Sequence, residues 1–231
     1  MTEQEKQIQM QALAKELEPS NWNNLNLQKR TELLQRVEDF QAELQNRPAA
    51  TVSTEQMATN QRGYYCNQKI VQNQDMVKYC ETSDMAAKNL FHEGRHAYQK
   101  DVVTHPENHP EVSEETRNAW SHNLSPDGYV RPEDDTFLYY WQPVEVDARA
   151  YAETQSLEYS KALAQNQNTS EDLSVCQAST ENQSLSTGED NTHMADQSTE
   201  EGIVSATSEG TTESSSEGNS QADGGCSQSI D

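Results

Sequence analysis

The sequence predicts an α+β protein that is mostly helical, carries a small β-sheet and ends in a disordered acidic tail. Apolar residues recur every three or four positions across residues 27–44, which is the period of an amphipathic helix. β-Branched and aromatic residues are concentrated in residues 63–73, as they are in strands. Aromatic and basic residues both stop before residue 162, so we predict a folded domain over residues 1–165 and a tail over residues 166–231.

The helical N-terminal part of this domain spans residues 1–48. Residues 2–18 are polar and made of good helix formers, and Pro19 ends the stretch. A second helix follows, and its apolar side chains fall on one face that we expect to pack in the core. These side chains are Leu33, Val37, Phe40 and Leu44.

Strand-forming sequence comes next. The stretch ATVST around residue 52 is a possible strand, and GYYCNQKIVQN, from Gly63 to Asn73, is predicted to form a single strand beside it. Gly63 either begins this strand or forms a bulge in it.

The remainder of the domain is predicted to be helical and looped. Ser83 is a candidate N-cap for a helix over residues 84–100, and the prolines of THPENHPEV place a loop after it. A short helix is predicted over residues 113–122, then a turn at LSPDGYVRP and one or two helical turns in DDTFLYYWQ. Pro143 fits the first position of a last helix that runs to about Ala164.

Charge and composition exclude several classes of function. The formal net charge is −23, and the tail holds thirteen acidic residues without one Lys or Arg. Because an acidic chain repels phosphates, we expect no nucleic-acid partner. The tail has too little apolar surface to fold, and it serves as a solvated linker or as the contact for a possible partner.

The N-terminus and the cysteines indicate a cytoplasmic protein. The first twenty residues contain no long apolar run, so neither a secretory signal nor a membrane span is predicted. Cys66, Cys80, Cys176 and Cys226 contain no CxxC pair and do not form a disulfide framework, which fits a reducing compartment. Export by a route without a cleavable signal stays open.

The motif HEGRH, from His92 to His96, points to metal chemistry. Positions i and i+4 of a helix lie on one face, so the two imidazoles can bind one ion, while Glu93 lies beside them and can reach a water. The alternative is a surface helix with two solvated histidines. A stripe of small and apolar residues (Ala87, Leu90, Gly94 and Ala97) predicts instead that the helix is packed. A close approach by another element or by a substrate backbone would explain the glycine within it.

A catalytic zinc site needs a third protein ligand. The metzincin pattern requires Gly and His at positions that hold Gln99 and Val102, so that pattern fails. A glutamate on a later helix is the alternative, and Glu145 falls in the first turn after Pro143. Small residues at i+3 and i+7 from Glu145 would let the two helices pack closely. We therefore predict that Zn2+ is held by His92, His96 and Glu145.

Together, HExxH and the later sequence EVDARAYA, residues 145–152, resemble the gluzincin arrangement. More narrowly, they are similar to the small bacterial zincins of the ImmA/IrrE type, whose second motif has the form ExxAxxFA. The likeness covers residues 62–164 and implies a zincin-like fold and a zinc metallopeptidase acting on a protein or peptide. It further implies Glu93 as general base and an extended substrate beside the strand of residues 64–71.

One position departs from the family pattern. Such families often place Asp or Asn four residues after the ligand glutamate, where it supports a ligand histidine. Here that residue is Arg149, so either Asp147 or Asp84 replaces it or the histidine is supported in a different way. Several side chains could donate to the oxyanion, and the sequence does not choose among them. They are Tyr139, Tyr140, His105, His109 and His122.

Three rival functions remain open at this point. Cys66 and Cys80 could join the two histidines in a structural zinc site, although the spacing is unlike that of compact zinc fingers. The chain could be a non-catalytic interaction protein on a zincin fold. An active enzyme could also serve as a toxin or effector of a mobile element.

Overall fold

The computed structural model describes residues 1–181 and 227–230, and the side chains of residues 1–164. Residues 1–171 and 224–231 belong to one compact unit. Eight α-helices, a 3-10 turn at Pro106–Asn108 and a four-stranded sheet make up the described part of the chain. The predicted α+β class, mostly helical with a small sheet, is confirmed. The elements are α1 (Glu3–Glu16), α2 (Pro19–Trp22), α3 (Leu27–Leu44), β1 (Thr51–Glu55), β2 (Gln61–Cys66), β3 (Lys69–Asn73), α4 (Gln74–Tyr79), α5 (Asp84–Thr104), α6 (Glu114–Asn123), α7 (Thr136–Trp141), α8 (Pro143–Glu181) and β4 (Ser227–Ile230).

The two predicted N-terminal helices are present, and their starts are capped. Thr2 and Glu5 form a capping box at α1, and the Asn26 side chain accepts a hydrogen bond from the Lys29 amide at α3. The predicted apolar face of α3 is buried in the main core, with Leu44 partly buried at its end. The side chains that the helical period predicted to be buried therefore do form part of the main core.

The sheet has the order β1-β3-β2-β4. β1 pairs with β3 in parallel, while β2 pairs antiparallel with β3 on one side and with β4 on the other. The prediction of one strand over residues 63–73 is wrong, because a hairpin turn divides that stretch. Asn67 and Gln68 both have positive φ, 49° and 61°, as a tight two-residue hairpin turn requires. Of the two alternatives for Gly63, the strand start is wrong because β2 begins at Gln61, and the register of the pairing with β4 shifts between Gln61 and Gly63.

α5 is the central helix of the domain and contacts both α3 and the sheet. Ser83 occupies the predicted N-cap position, but its hydroxyl donates to the Leu17 carbonyl oxygen at 2.8 Å instead of capping. The helix continues to Thr104, four residues beyond the prediction, and ends just before Pro106. It therefore carries HEGRH in its interior, where the backbone is fixed by hydrogen bonds on both sides.

The last helices also follow the predicted order. Asp135 caps the start of α7 through a hydrogen bond from the Leu138 amide. α8 begins at Pro143 as predicted, but it continues past residue 164 to Glu181, since no Pro or Gly interrupts the sequence there. The predicted disorder of the tail stays a prediction, because residues 182–226 lie outside the described part of the chain.

No helix in residues 1–181 is long and apolar enough to cross a membrane.

Gly94 allows α5 to pass over a buried ion pair. Arg47 donates to both carboxylate oxygens of Glu38, at 2.6 and 3.0 Å, and the two side chains are 1% exposed. A Cβ atom at position 94 would lie 3.0 Å from Arg47 Nη2 and 3.0 Å from Glu38 Oε2. The close approach that the mid-helix glycine predicted is therefore made by another element of the protein.

We expect Gly94→Ala to destabilise the protein by about 1 kcal/mol or more, despite its higher helix propensity. The ion pair has no room to move, because Glu38 also accepts the Ala50 amide and Arg47 also donates to Gln45. Urea unfolding of the variant would measure the loss. Lys100→Ala, at an exposed position of α5, is the control and should leave stability within about 0.5 kcal/mol of wild type. Equal or greater stability of Gly94→Ala would contradict the packing account.

Candidate metal centre

The interior of α5 brings two imidazoles together. His92 and His96 are one helical turn apart, and their Nε2 atoms are 3.2 Å from each other. His96 is completely buried and His92 is 8% exposed. The predicted pair therefore lies on one face of the helix, with one ring reachable from solvent.

The first turn of α8 adds a carboxylate to this pair. Glu145 is completely buried, with Oε2 3.3 Å from Nε2 of His92 and Oε1 3.4 Å from Nε2 of His96. One ligand atom from each of the three residues lies within 4.8 Å of the others. Ala148 and Ala152, on the same face of α8, are buried as predicted. The structure thus joins all three residues that the sequence selected as ligands.

The charges of the group are strongly coupled. Burial alone would lower the pKa of His96, but the Glu145 carboxylate opposes this most strongly and raises it to about 9. Burial would likewise raise the pKa of Glu145, yet the two histidines hold it well below its usual range. In the metal-free protein His96 is therefore a cation beside a carboxylate.

The residues present fit a metal ion. Oε2 of Glu145 is buried and makes no hydrogen bond, which ordinarily costs free energy inside a protein. Two imidazole nitrogens and a carboxylate oxygen are also the donor set of open catalytic zinc sites. These three residues could hold a metal ion, and an ion would give Oε2 of Glu145 a direct bond in place of its longer ionic contact with His92.

Gln99 fixes the ring of His96 from the side away from this group. Its Nε2 donates to the Val144 carbonyl oxygen at 2.8 Å and to Oδ2 of Asp147 at 2.7 Å. Both partners are acceptors, so the amide orientation is determined and Oε1 must accept from Nδ1 of His96, at 2.8 Å. Nε2 of His96 then carries the lone pair in the neutral ring, as metal binding requires.

We expect Gln99→Leu to weaken zinc affinity by about 10- to 100-fold, because the His96 ring loses the partner that sets its tautomer. Competition with a chromophoric chelator would measure the affinity, and circular dichroism would verify the fold. Gln155→Leu is the matched control, since Gln155 is partly exposed and bonds Gln41 instead of a histidine. Unchanged affinity in a folded Gln99→Leu protein would contradict this role.

Of the two acids considered as replacements for the one missing at position 149, Asp147 is connected to His96, through Gln99. Asp147 acts on His96 indirectly, through the Gln99 amide, and is held by Arg95 at 2.7 and 3.0 Å. Asp84 is exposed and lines a different cavity. Arg149 has Nη1 4.0 Å from Oε2 of Glu145, and its guanidinium stacks on the Tyr140 ring. Sequence reasoning missed Gln99, although its i+3 spacing from His96 was a usable signal.

A cleft of about 790 Å3 opens onto the three residues. The start of β2, the middle of α5, α7 and the first turns of α8 form its walls. Glu93 is completely buried next to His92, and its charge raises the pKa of His96. The lining side chains of the cleft include Arg62, His92, Tyr139, Tyr140, Glu145, Arg149 and Glu153.

Only two of the five predicted oxyanion donors belong to this cleft. Tyr139 and Tyr140 line it, whereas His105 and His109 both bond Asp101, at 2.9 and 2.8 Å. His122, on α6, is exposed and is not a lining residue. The prediction that His105, His109 or His122 donates to the oxyanion is therefore wrong. Tyr139 and Tyr140 stay candidates for this role.

Tyrosine hydroxyls reach the carboxylate of Glu145. Burial, and next the Glu145 charge, raise the pKa of Tyr139, so its hydroxyl stays protonated and can donate. Tyr129 donates to Oε1 of Glu145 at 3.1 Å. Nothing in the sequence singled out Tyr129, because it lies in the loop before α7 and meets Glu145 only in the folded chain.

The cysteines do not join the histidines. Cys66 is disulfide-bonded, although the sequence predicted no disulfide framework, and Cys80 is free and half-buried. Among residues 1–164, the group of three or more metal-binding side chains is His92, His96 and Glu145, without a thiol. A structural zinc site built with Cys66 and Cys80 is therefore not supported.

Comparison with protein-family models, with curated proteins and with solved structures gives no match. The resemblance to gluzincins therefore depends on HExxH, on EVDARAYA and on their order along the chain. What the group does has to be argued from its own donors, burial and charges.

Proposed function

We propose that the protein is a zinc-dependent metallopeptidase, a hydrolase in which His92, His96 and Glu145 hold the ion and Glu93 is the general base. One observation carries the proposal. Three buried donors of the types that catalytic zinc prefers lie within 4.8 Å of one another at the wall of an open cleft, with a buried carboxylate beside them.

The burial and the type of donor favour zinc. Two imidazoles and one carboxylate suit zinc, whereas Mg2+ and Ca2+ prefer all-oxygen sites with many waters. His92 is the donor closest to solvent, so a fourth position could face the cleft. A site with three protein ligands and one open position is catalytic and not structural.

The chain's own groups supply the proton transfers. A bound zinc ion would acidify a water and polarise a carbonyl oxygen. Glu93 accepts a proton from the attacking water and returns it to the amine that leaves when the C–N bond breaks. The protonated Tyr139 hydroxyl donates to the oxygen on which negative charge develops. Arg149 and Arg62 carry positive charge along the cleft and can pair with acidic groups of a peptide.

Removal and return of metal tests this function. We expect about one zinc per purified chain and release of fluorescence from a quenched peptide mixture with randomised residues. Dialysis against a chelator should abolish hydrolysis, and one equivalent of Zn2+ should restore it. Hydrolysis that survives complete metal removal would overturn the proposal, and so would a zinc-saturated protein without activity on any peptide in the mixture.

A further inference from the structure

Arg149 is a cation held in place at the wall of the cleft. It lies on α8, one turn after Glu145, and its side chain is 28% exposed. Its guanidinium stacks 3.7 Å from the centre of the Tyr140 ring, and Nη2 donates to the carbonyl oxygen of the same residue. Because α7 already orders this long side chain, a ligand that binds the guanidinium would lose little of the usual free energy to side-chain entropy.

Arg149 has no part in holding the histidine ring. Gln99 accepts from Nδ1 of His96 and donates to Asp147, so that ring is supported from another side. The carboxylate nearest to Arg149 is instead that of Glu145, whose Oε2 is 4.0 Å from Nη1. This separation is beyond hydrogen-bonding distance. Arg149 therefore faces the candidate metal centre without being bonded to it.

The guanidinium keeps donors for a group that enters the cleft. Within residues 1–164 its hydrogen bond is the one from Nη2 to Tyr140, so the other N–H groups of the fork remain for a ligand. The planar fork of an arginine matches the two oxygens of a carboxylate, and such charge-assisted pairs are stronger than neutral hydrogen bonds. A carboxylate is therefore the ligand that this side chain fits best.

The charges around the centre favour one anionic group on the ligand. The buried carboxylates of Glu93 and Glu145 together offset the charge of a divalent ion. Lys88 and Glu153, which also line the cleft, pair with each other. The charge of Arg149 is left over beside the group that would hold the ion. A single carboxylate of a bound peptide would neutralise it.

A carboxylate on Arg149 would belong to a residue close to the bond that is cut. Neighbouring residues of a peptide are about 3.8 Å apart, which is similar to the 4.0 Å between Nη1 of Arg149 and Oε2 of Glu145. Two parts of a peptide offer a carboxylate at such a place. They are the side chain of an aspartate or glutamate, and the free C-terminus.

We propose that Arg149 determines substrate specificity by binding a carboxylate of the peptide next to the scissile bond. The preference in hydrolysis rests on the proposed peptidase function, whereas the binding of a carboxylate by Arg149 does not. The net charge of −23 disfavours acidic peptides at the rest of the surface, so their binding should be confined to the cleft.

Matched peptides test the preference at about 0.15 M salt, which screens distant charges. Two acetylated and amidated alanine peptides differ only in a central glutamate or glutamine. We expect kcat/KM of wild type to be at least about tenfold higher for the glutamate peptide, with the cut beside it. Arg149→Gln should abolish this difference and change the glutamine peptide by less than about threefold. If Arg149 served only to cap α7, both peptides would lose equally.

The control variant is Arg131→Gln. Arg131 is exposed and is not among the residues that line the cleft, so the variant removes the same charge nearby and should keep the preference. Arg149→Lys retains the charge but loses the fork, and it should keep part of the preference. It also serves as the second variant if circular dichroism shows that Arg149→Gln is unfolded.

A second pair of peptides identifies the source of the carboxylate. This pair is an alanine peptide with a free C-terminus and the same peptide as its amide. A preference for the free acid that disappears in Arg149→Gln would assign the C-terminal carboxylate, whereas a preference for glutamate would assign the side chain. Equal kcat/KM within both pairs in wild type would overturn the proposal. A preference that survives Arg149→Gln but disappears in Arg62→Gln would overturn it as well.

Fluorescence anisotropy of the same peptides, carrying a label, gives a readout without hydrolysis. Glu93→Gln protein, measured with and without one equivalent of Zn2+, should bind the preferred acid at least about tenfold more tightly than its amide counterpart. Adding Arg149→Gln should remove the difference. If hydrolysis were absent from every variant while this difference in binding persisted, the peptidase function would fail and the carboxylate site would stand. Hydrolysis without any difference in binding or rate would refute the role of Arg149 alone.

Discussion

Glu93→Gln is expected to lower kcat/KM for peptide hydrolysis by about 10²- to 10⁴-fold, because the attacking water loses its proton acceptor. Glutamine keeps the size and the planar shape of the side chain but cannot take a proton. Glu93 is completely buried beside His92 and is not one of the three grouped donors, so zinc should remain bound. Zinc content and kinetics measured on the same preparation would separate the loss of the base from the loss of the ion.

Glu153→Gln is the control for this substitution. Glu153 also lines the cleft, but its side chain is exposed and pairs with Lys88. Its neutralisation removes the same charge from the same cleft, so it should change kcat/KM by no more than a few-fold. A Glu93→Gln protein that retains zinc and more than about a tenth of wild-type activity would show that another group is the base.

The grouping of His92, His96 and Glu145 could be predicted because each position depends on local helix geometry. The i, i+4 spacing alone sets His92 beside His96. Pro143 defines where α8 begins, and that start puts Glu145 in the first turn. The small residues Ala148 and Ala152 then indicated that another helix packs closely against this face of α8. No long-range information was needed beyond the assumption that the two helices meet.

The parts that were missed depend on contacts between distant segments or on weak local signals. Tyr129 meets Glu145 only after the loop before α7 has folded over α8. The β2–β3 turn uses Asn67 and Gln68 and lacks the glycine that usually marks such a turn. β4 is polar and short, so its pairing with β2 has no signature in composition. In each case tertiary structure decides what the local sequence leaves open.

The coupling between Glu145 and His96 gives the proposed third ligand a signature that is visible without metal. In the metal-free protein the carboxylate holds the pKa of His96 at about 9 against the effect of burial. His96 therefore stays protonated at neutral pH and loses its proton only as the pH rises through about 9. In the Glu145→Ala variant the carboxylate that raises the pKa of His96 is gone, while burial still lowers it. The pKa of His96 should therefore fall. Histidine NMR titration of the metal-free proteins would detect this shift.

Glu145→Ala is expected to weaken zinc affinity by more than about 100-fold, beyond what the loss of an outer partner such as Gln99 produces. The ion would keep two imidazoles and lose the only anionic donor of the group. Zinc per chain should drop from about one to near zero at micromolar free zinc, and hydrolysis should disappear with it. Asp147→Ala is the informative comparison, because it lies on the same turn of α8 and acts only through Gln99. If Glu145→Ala retained zinc while Asp147→Ala lost it, the three-ligand assignment would be wrong, and the buried carboxylate would serve to neutralise His96.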